Sequence, residues 1–161
     1  MKETLIALMQ DKPGVFDRVA SLFRRRSFNI ESLTVGHSET PGISRMTLVV
    51  DCDSDVQREQ VVKQFHKLIE VTKVIDEVTV DRAVYRELAL IKVAATIETR
   101  AGIIQLVDIF GAQVLDVSSA SMTIELTGTE DQIDSFVNLL RPFGIKELAR
   151  TGRVAMLRGS N

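Results

Sequence analysis

The chain has 161 residues, 45% of them apolar, with 20 basic and 22 acidic side chains and a formal net charge of −2. That apolar content suits a packed core in one medium domain or in two small ones of roughly 80 residues each. The interspersed charge, the absence of Trp and the single Tyr exclude a dedicated nucleic-acid binder.

The opening "MKETLIALMQ" predicts a strand over Glu3 to Met9. Glu3 interrupts its apolar run and no small-residue cleavage site follows, so no signal peptide is expected. Asp11-Lys12-Pro13-Gly14 reads as a turn. From Val15 the apolar positions Val15, Phe16, Val19, Ala20, Leu22 and Phe23 fall on one helical stripe. Arg24, Arg25 and Arg26 close that helix, where cations complement the macrodipole. Asn29 to Val35 reads as a strand, "HSETPG" as a loop, and Ile43 to Val50 as the second arm of a hairpin with Met46, Leu48 and Val50 on one face. Ser54 and Gln57 match a capping box. The helix behind them is expected to bury Val61, Phe65 and Leu68, with Val62 and Ile69 beside them. Val71 to Val80 is expected to be the last strand of this half.

The same order then returns. Glu87 to Ala95 predicts a strand, Ile103, Ile104, Val107 and Phe110 a helix, and Gln113 to Val117 with Met122 to Leu126 another strand pair. Thr129 and Gln132 match a second capping box ahead of Ile133, Phe136, Val137 and Leu140. Ile145 to Ala149 completes the pattern, and "TGRVAMLRGSN" is a tail with a short apolar patch. The expected fold is α+β, two ferredoxin-like βαββαβ units split near Asp81 to Tyr85. Each would carry two helices on one sheet face, and the other face would need a partner, either the other half of the chain or a second chain, so a homodimer at least is expected.

Catalytic constellations are poor. His37 and His66 are distant in sequence and lack a nucleophile motif, and there is no Walker loop and no G-x-G-x-x-G. The carboxylates are scattered without EF-hand or H-E-x-x-H spacing, and Cys52 is alone, so no metal site and no disulfide are expected. The arginine run is either a phosphate patch or, more simply, a solvated helix end. No aromatic interleaving supports RNA binding. No run reaches the ~20 apolar residues of a membrane span, and a cytoplasmic protein is expected.

The Pro-Gly turn is more informative. A helix N-terminus offers unpaired N–H groups and a positive dipole end. Gly14 lets a carboxylate approach the backbone, Asp11 suits an ammonium group, and Asn29 can donate and accept together. A zwitterionic amino acid needs that set. By spacing alone, a mere helix start at Pro13-Gly14 and a mere turn residue at Asn29 stand equally open.

"DKPGVFDRVASLF" followed by "NIESLTV" resembles an ACT domain, the small-molecule-binding module of amino-acid metabolism. With "SRMTLVV", "RELALIKV" and "LRPFGIKELARTGRVAMLRG" the whole chain resembles the regulatory small-subunit family of acetolactate synthase. The resemblance implies an ACT domain at 1–80 and a C-terminal ferredoxin-like domain of that subunit at 85–161. It implies no catalysis by this chain, and dimerisation through ACT domains whose sheets join side by side. It also implies a branched-chain amino acid, usually valine, at the dimer interface. Carried over by motif, the effector-binding residues are Asp11, Lys12, Pro13, Gly14, Val15 and Phe16 of one chain, facing Asn29, Ile30, Glu31 and Ser32 of the other. The implied partner is the catalytic large subunit, which holds thiamine diphosphate, Mg²⁺ and FAD and condenses pyruvate into acetolactate. This chain would activate it, and bound valine would inhibit the complex. Asp11 stands where the family often has Asn, Asp17 near a usual small hydroxyl residue, and Ser27 where Gly is common. The alternative is a free-standing amino-acid sensor acting on another partner.

Overall fold

Alternation along Lys2–Gln10 builds β1, which sends Leu5, Ala7 and Met9 to one sheet face and Thr4 and Ile6 to the other. The computed structural model describes residues 1–76 and 78–159. After β1 come α1 (Val15–Arg26), β2 (Asn29–His37), β3 (Ile43–Asp51), α2 (Asp55–His66) and β4 (Val71–Ile75), the strands forming an antiparallel sheet in the order β2-β3-β1-β4. Its chain contacts define one unit, Met1–Val84, joined by the tail that begins at Arg153.

The i, i+4, i+8 spacing of Val15, Val19 and Phe23 turns one stripe of α1 into the core. There Phe23 meets Phe28 and Phe65 edge-on, with ring centroids 5.9 and 5.5 Å apart, the arrangement that the ring quadrupoles favour. α1 ends at Ser27, the one described non-glycine residue with positive φ, at 53°. Its N–H donates to the Phe23 carbonyl. Cys52 lies in this core, and burial pushes its thiol pKa up.

The second unit, Tyr85–Gly152, repeats the plan. β5 (Ala83–Ala94) leads into it, followed by α3 (Arg100–Phe110), β6 (Gln113–Val117), β7 (Ser121–Gly128), α4 (Glu130–Leu140) and β8 (Ile145–Arg150), in sheet order β6-β7-β5-β8. Ile103, Val107, Ile133, Phe136, Val137 and Leu140 pack on Ala89, Ile91, Val93, Met122, Ile124 and Leu126. Thr129 and Gln132 form the capping box reciprocally, at 3.4 and 2.9 Å. A Cβ at Gly128 would lie 2.7 Å from Gln132 Oε1, so a glycine leaves room for it. Arg150 bridges Glu87 and Asp134, both at 2.6 Å. Burial alone lowers its pKa, but the hydrogen bonds to the two carboxylates outweigh that and raise it. On the helix-free face Leu90 is exposed beside the Lys92–Glu147 pair.

The helix-free face of the first sheet, expected to need a cover from the other half or from a second chain, is already buried in the single chain. Ile6 and Thr47 are paired neighbours there, as are Thr4 and Val49, and all four are buried. The tail reaches this face. Arg45 Nη2 donates to the Ala155 carbonyl at 2.8 Å, Arg153 Nη1 to Thr4 Oγ1 at 2.9 Å, and Arg153 N to Ser32 Oγ at 3.5 Å. The apolar patch of that tail forms β9 (Val154–Leu157), which pairs with β5, and Ala155 is 1% exposed.

Other differences are local. The strand expected over Val71 to Val80 ends at Ile75, and the chain then enters a turn at Thr79, whose carbonyl accepts from the N–H groups of Arg82 and Ala83. Glu77 within that range lies outside the described residues. Ile69, placed beside the core by periodicity, sits past the helix end and is 92% exposed. Ser54 caps Gln57 N, but the Gln57 side chain bonds to Asp53 N instead of Ser54 N.

Candidate functional site

The turn between β1 and α1 is built by backbone bonds. Asp11 N donates to the Gly42 carbonyl at 2.8 Å, Lys12 N to Gln10 at 3.0 Å, and Val15 N to Lys12 at 3.4 Å. Pro13 sets the bend, and Gly14 enters α1 in the left-handed region at φ 85°. An added Cβ would meet only Arg18 Nη1, at an ordinary 3.6 Å, so backbone conformation and not crowding calls for the glycine. No side chain caps this helix. The first helical bond runs from Arg18 N to the Gly14 carbonyl, which leaves the N–H groups of Phe16 and Asp17 without a partner among the described residues at the positive dipole end.

Around this end the side chains divide. Val15 is part of the core, so only its backbone is available to a ligand, whereas Phe16 is 46% exposed. The Asp11 carboxylate stands 3.5 Å from His37 Nδ1, where β2 ends. Arg18 pairs with Glu70, whose carbonyl accepts from Gln10 N. His37 and Arg18 were given no part in the site by sequence. Their closeness to the turn comes from strand pairing and helix pitch, and only His37, six residues before Ile43, carried a hint in its place beside the hairpin loop.

The other four predicted residues sit elsewhere. Asn29 pairs with Asp51, while Gln10, next to the turn, pairs with Ile43. Eight residues of β3 separate those positions, about 26 Å at ~3.3 Å per residue. A single chain therefore holds Asp11–Phe16 and Asn29–Ser32 at opposite ends of one sheet. Ile30 is exposed, Glu31 sits in a bulge and pairs with Lys2 at 3.6 Å, and Ser32 accepts from Arg153 N.

The equivalent turn in the second unit is closed by its own side chains. Thr96 N donates to Thr99 Oγ1 at 2.8 Å, Thr99 N donates to Thr96 Oγ1 at 3.3 Å, and Arg100 Nη2 reaches the Ser118 carbonyl at 2.9 Å. These bonds brace the loop before α3, while α3 itself, like α1, has no side-chain cap at its start. Among the described residues no helix is long and apolar enough to cross a membrane.

Comparison with known proteins gives a consistent result. Residues 5–73 match the model of the AHAS small subunit-like ACT domain, and residues 86–159 match that of the small subunit of acetolactate synthase. The chain is 56% identical over 160 residues to a probable acetolactate synthase small subunit of Archaeoglobus fulgidus, covering 99% of both chains. It is 50% identical over 156 residues to the acetolactate synthase small subunit of Mycolicibacterium smegmatis, covering 97% of this chain and 91% of that one. Its fold superposes on the crystal structure of the Thermotoga maritima acetolactate synthase small subunit with a TM-score of 0.93 at 45% identity, covering 100% and 99% of the two chains. The chain belongs to the family of acetolactate synthase small subunits, which are non-catalytic by themselves.

Proposed function

We propose that this chain is a regulatory subunit in the cytoplasm. It activates the catalytic subunit of acetolactate synthase and imposes feedback inhibition on isoleucine, valine and leucine biosynthesis when a branched-chain amino acid, valine above all, binds to it. The observation that carries this reading is the separation of two complementary half-sites. One end of the sheet offers a carboxylate site at the free N–H groups of Phe16 and Asp17, with the Asp11 carboxylate for an ammonium group. The other end offers the Asn29 amide and the exposed Ile30.

A second copy closes the gap. β2 is an edge strand and carries Ile30, Leu33 and Val35 exposed, the kind of edge that takes another strand. Antiparallel pairing of two β2 strands about Leu33 sets Asn29 of one protomer opposite the partner's His37, which stands beside the partner's Asp11. The sheets then join side by side and the exposed aliphatic residues are covered. Valine fits this junction with its carboxylate at the α1 start, its ammonium at Asp11 and its side chain against Ile30 and Leu33. Lys12 and Pro13 shape the turn, Val15 contributes backbone, Phe16 covers the open side, and Glu31 and Ser32 frame the strand start.

An effector that bridges two protomers shifts the dimer between arrangements by its different affinity for each. The catalytic partner supplies thiamine diphosphate, Mg²⁺ and FAD and condenses pyruvate into acetolactate. The test pairs calorimetry of the chain with valine, leucine and isoleucine with synthase assays of the reconstituted complex. Gly14→Asp places a negative charge where the effector carboxylate sits. It is expected to abolish valine heat and valine inhibition while activation of the catalytic subunit persists. Unaltered valine inhibition of that variant would refute the site.

A further inference from the structure

On the helix side of the first unit, α1 and the end of α2 bound an open groove of about 480 Å³. Arg18, Arg25, Arg26 and Lys67 line it, and Leu22 and Leu68 form a half-buried apolar floor. Arg18 and Arg25 are two turns apart on one face of α1, so the stripe follows from helix pitch. Asp17 is the one acid on the rim, and Glu70 is already engaged by Arg18. Arg25, Arg26 and Lys67 are exposed and have neither an ion pair nor a side-chain hydrogen bond among the described residues. Three unpaired cations thus share one groove in a chain whose net charge is −2.

Helix capping accounts for only part of this. Cations at the end of α1 complement its dipole, but that effect fades within a turn and does not call for Lys67 across the groove. A compact phosphate is a poor occupant. Compact-phosphate sites commonly add converging backbone N–H groups, at a helix N-terminus or a glycine-rich turn, to their basic side chains. Here Arg25 and Arg26 stand on the last turn of α1 and Lys67 caps the end of α2, the carbonyl ends of both helices. Long basic side chains reaching past an apolar floor suit separated carboxylates flanking one aliphatic or aromatic side chain.

We infer that this groove is a docking surface for an acidic segment with an apolar anchor on the large subunit of the synthase. The inference rests on the subunit reading above and adds to it the surface that meets the partner. None of the groove residues lies on β2, so docking here leaves the homodimer edge free.

The test is association of the full chain with the purified large subunit by surface plasmon resonance at low and at high salt. The variant is Arg25→Glu with Arg26→Glu and Lys67→Glu. Arg24→Glu, on the same turn but outside the groove, is the control, and circular dichroism checks that each variant folds. The triple variant is expected to weaken binding by about tenfold or more at low salt and to flatten its salt dependence, with the control within about twofold. Triple-variant binding equal to wild type overturns the docking surface and leaves the subunit reading intact. Failure of the wild-type chain to associate overturns both. Calorimetry with pyrophosphate provides a further arm: saturable heat lost in the triple variant, with large-subunit binding unchanged, assigns the groove to a small anion and overturns the inference.

Discussion

Ile6→Ala tests whether the tail seals the helix-free face of the first sheet. Ile6 is 0% exposed, between Thr47 on β3 and Ile75 on β4. On a bare face, truncation to Ala would remove only partly solvated methyl groups and cost about 1 kcal/mol, in line with ~0.8 kcal/mol per buried methylene. Under a sealed face the lost transfer energy is joined by a cavity, and the cost rises to about 3 kcal/mol, within the range for buried Ile→Ala. With a urea dependence of ~1.5 kcal/mol per molar, the unfolding midpoint should drop by about 2 M. Urea titration followed by circular dichroism measures this. The same substitution is then repeated in a chain ending at Gly152, where the cover is absent and its cost should fall to about 1 kcal/mol. Equal costs in the two backgrounds would refute the tail as the cover.

Two further substitutions test local physics. Ser27→Gly should stabilise the chain by about 0.5–1 kcal/mol, because a serine held at φ 53° pays for a left-handed conformation that glycine adopts freely; no rise in melting temperature would count against that strain. Arg150→Met should cost about 2–3 kcal/mol, less than a fully buried pair since Arg150 is 28% exposed, because it leaves the buried Glu87 carboxylate without its partner. Adding Glu87→Leu should recover part of the loss in urea titrations, and strict additivity would show that the two side chains do not act as a pair.

Much of the fold is legible in the residues because its determinants are local. The i, i+4 spacing of Val15, Val19 and Phe23, the Thr129–Gln132 capping box and the alternation of Met46, Leu48 and Val50 each encode an element within a few residues. The open start of α1 is likewise written in Pro13-Gly14, since a glycine there supplies no capping side chain. Periodicity misplaced Ile69 because it carries no information on where a helix ends or what lies beyond it. That the helix-free faces need a cover was legible, but not that the tail reaches the first of them, because those contacts join residues more than a hundred positions apart.

By itself, then, the order of residues determined two βαββαβ units, their helix-side cores and the Pro-Gly turn, all set by short-range spacing and backbone preference. Only tertiary structure decided that Asp11 meets His37, that Asn29 lies about 26 Å from the turn, and that Arg153 and Ala155 close the face holding Thr4 and Ile6. Those relations depend on strand register and on long-range contacts, and a pattern of neighbouring residues does not encode which distant backbone group satisfies a buried donor.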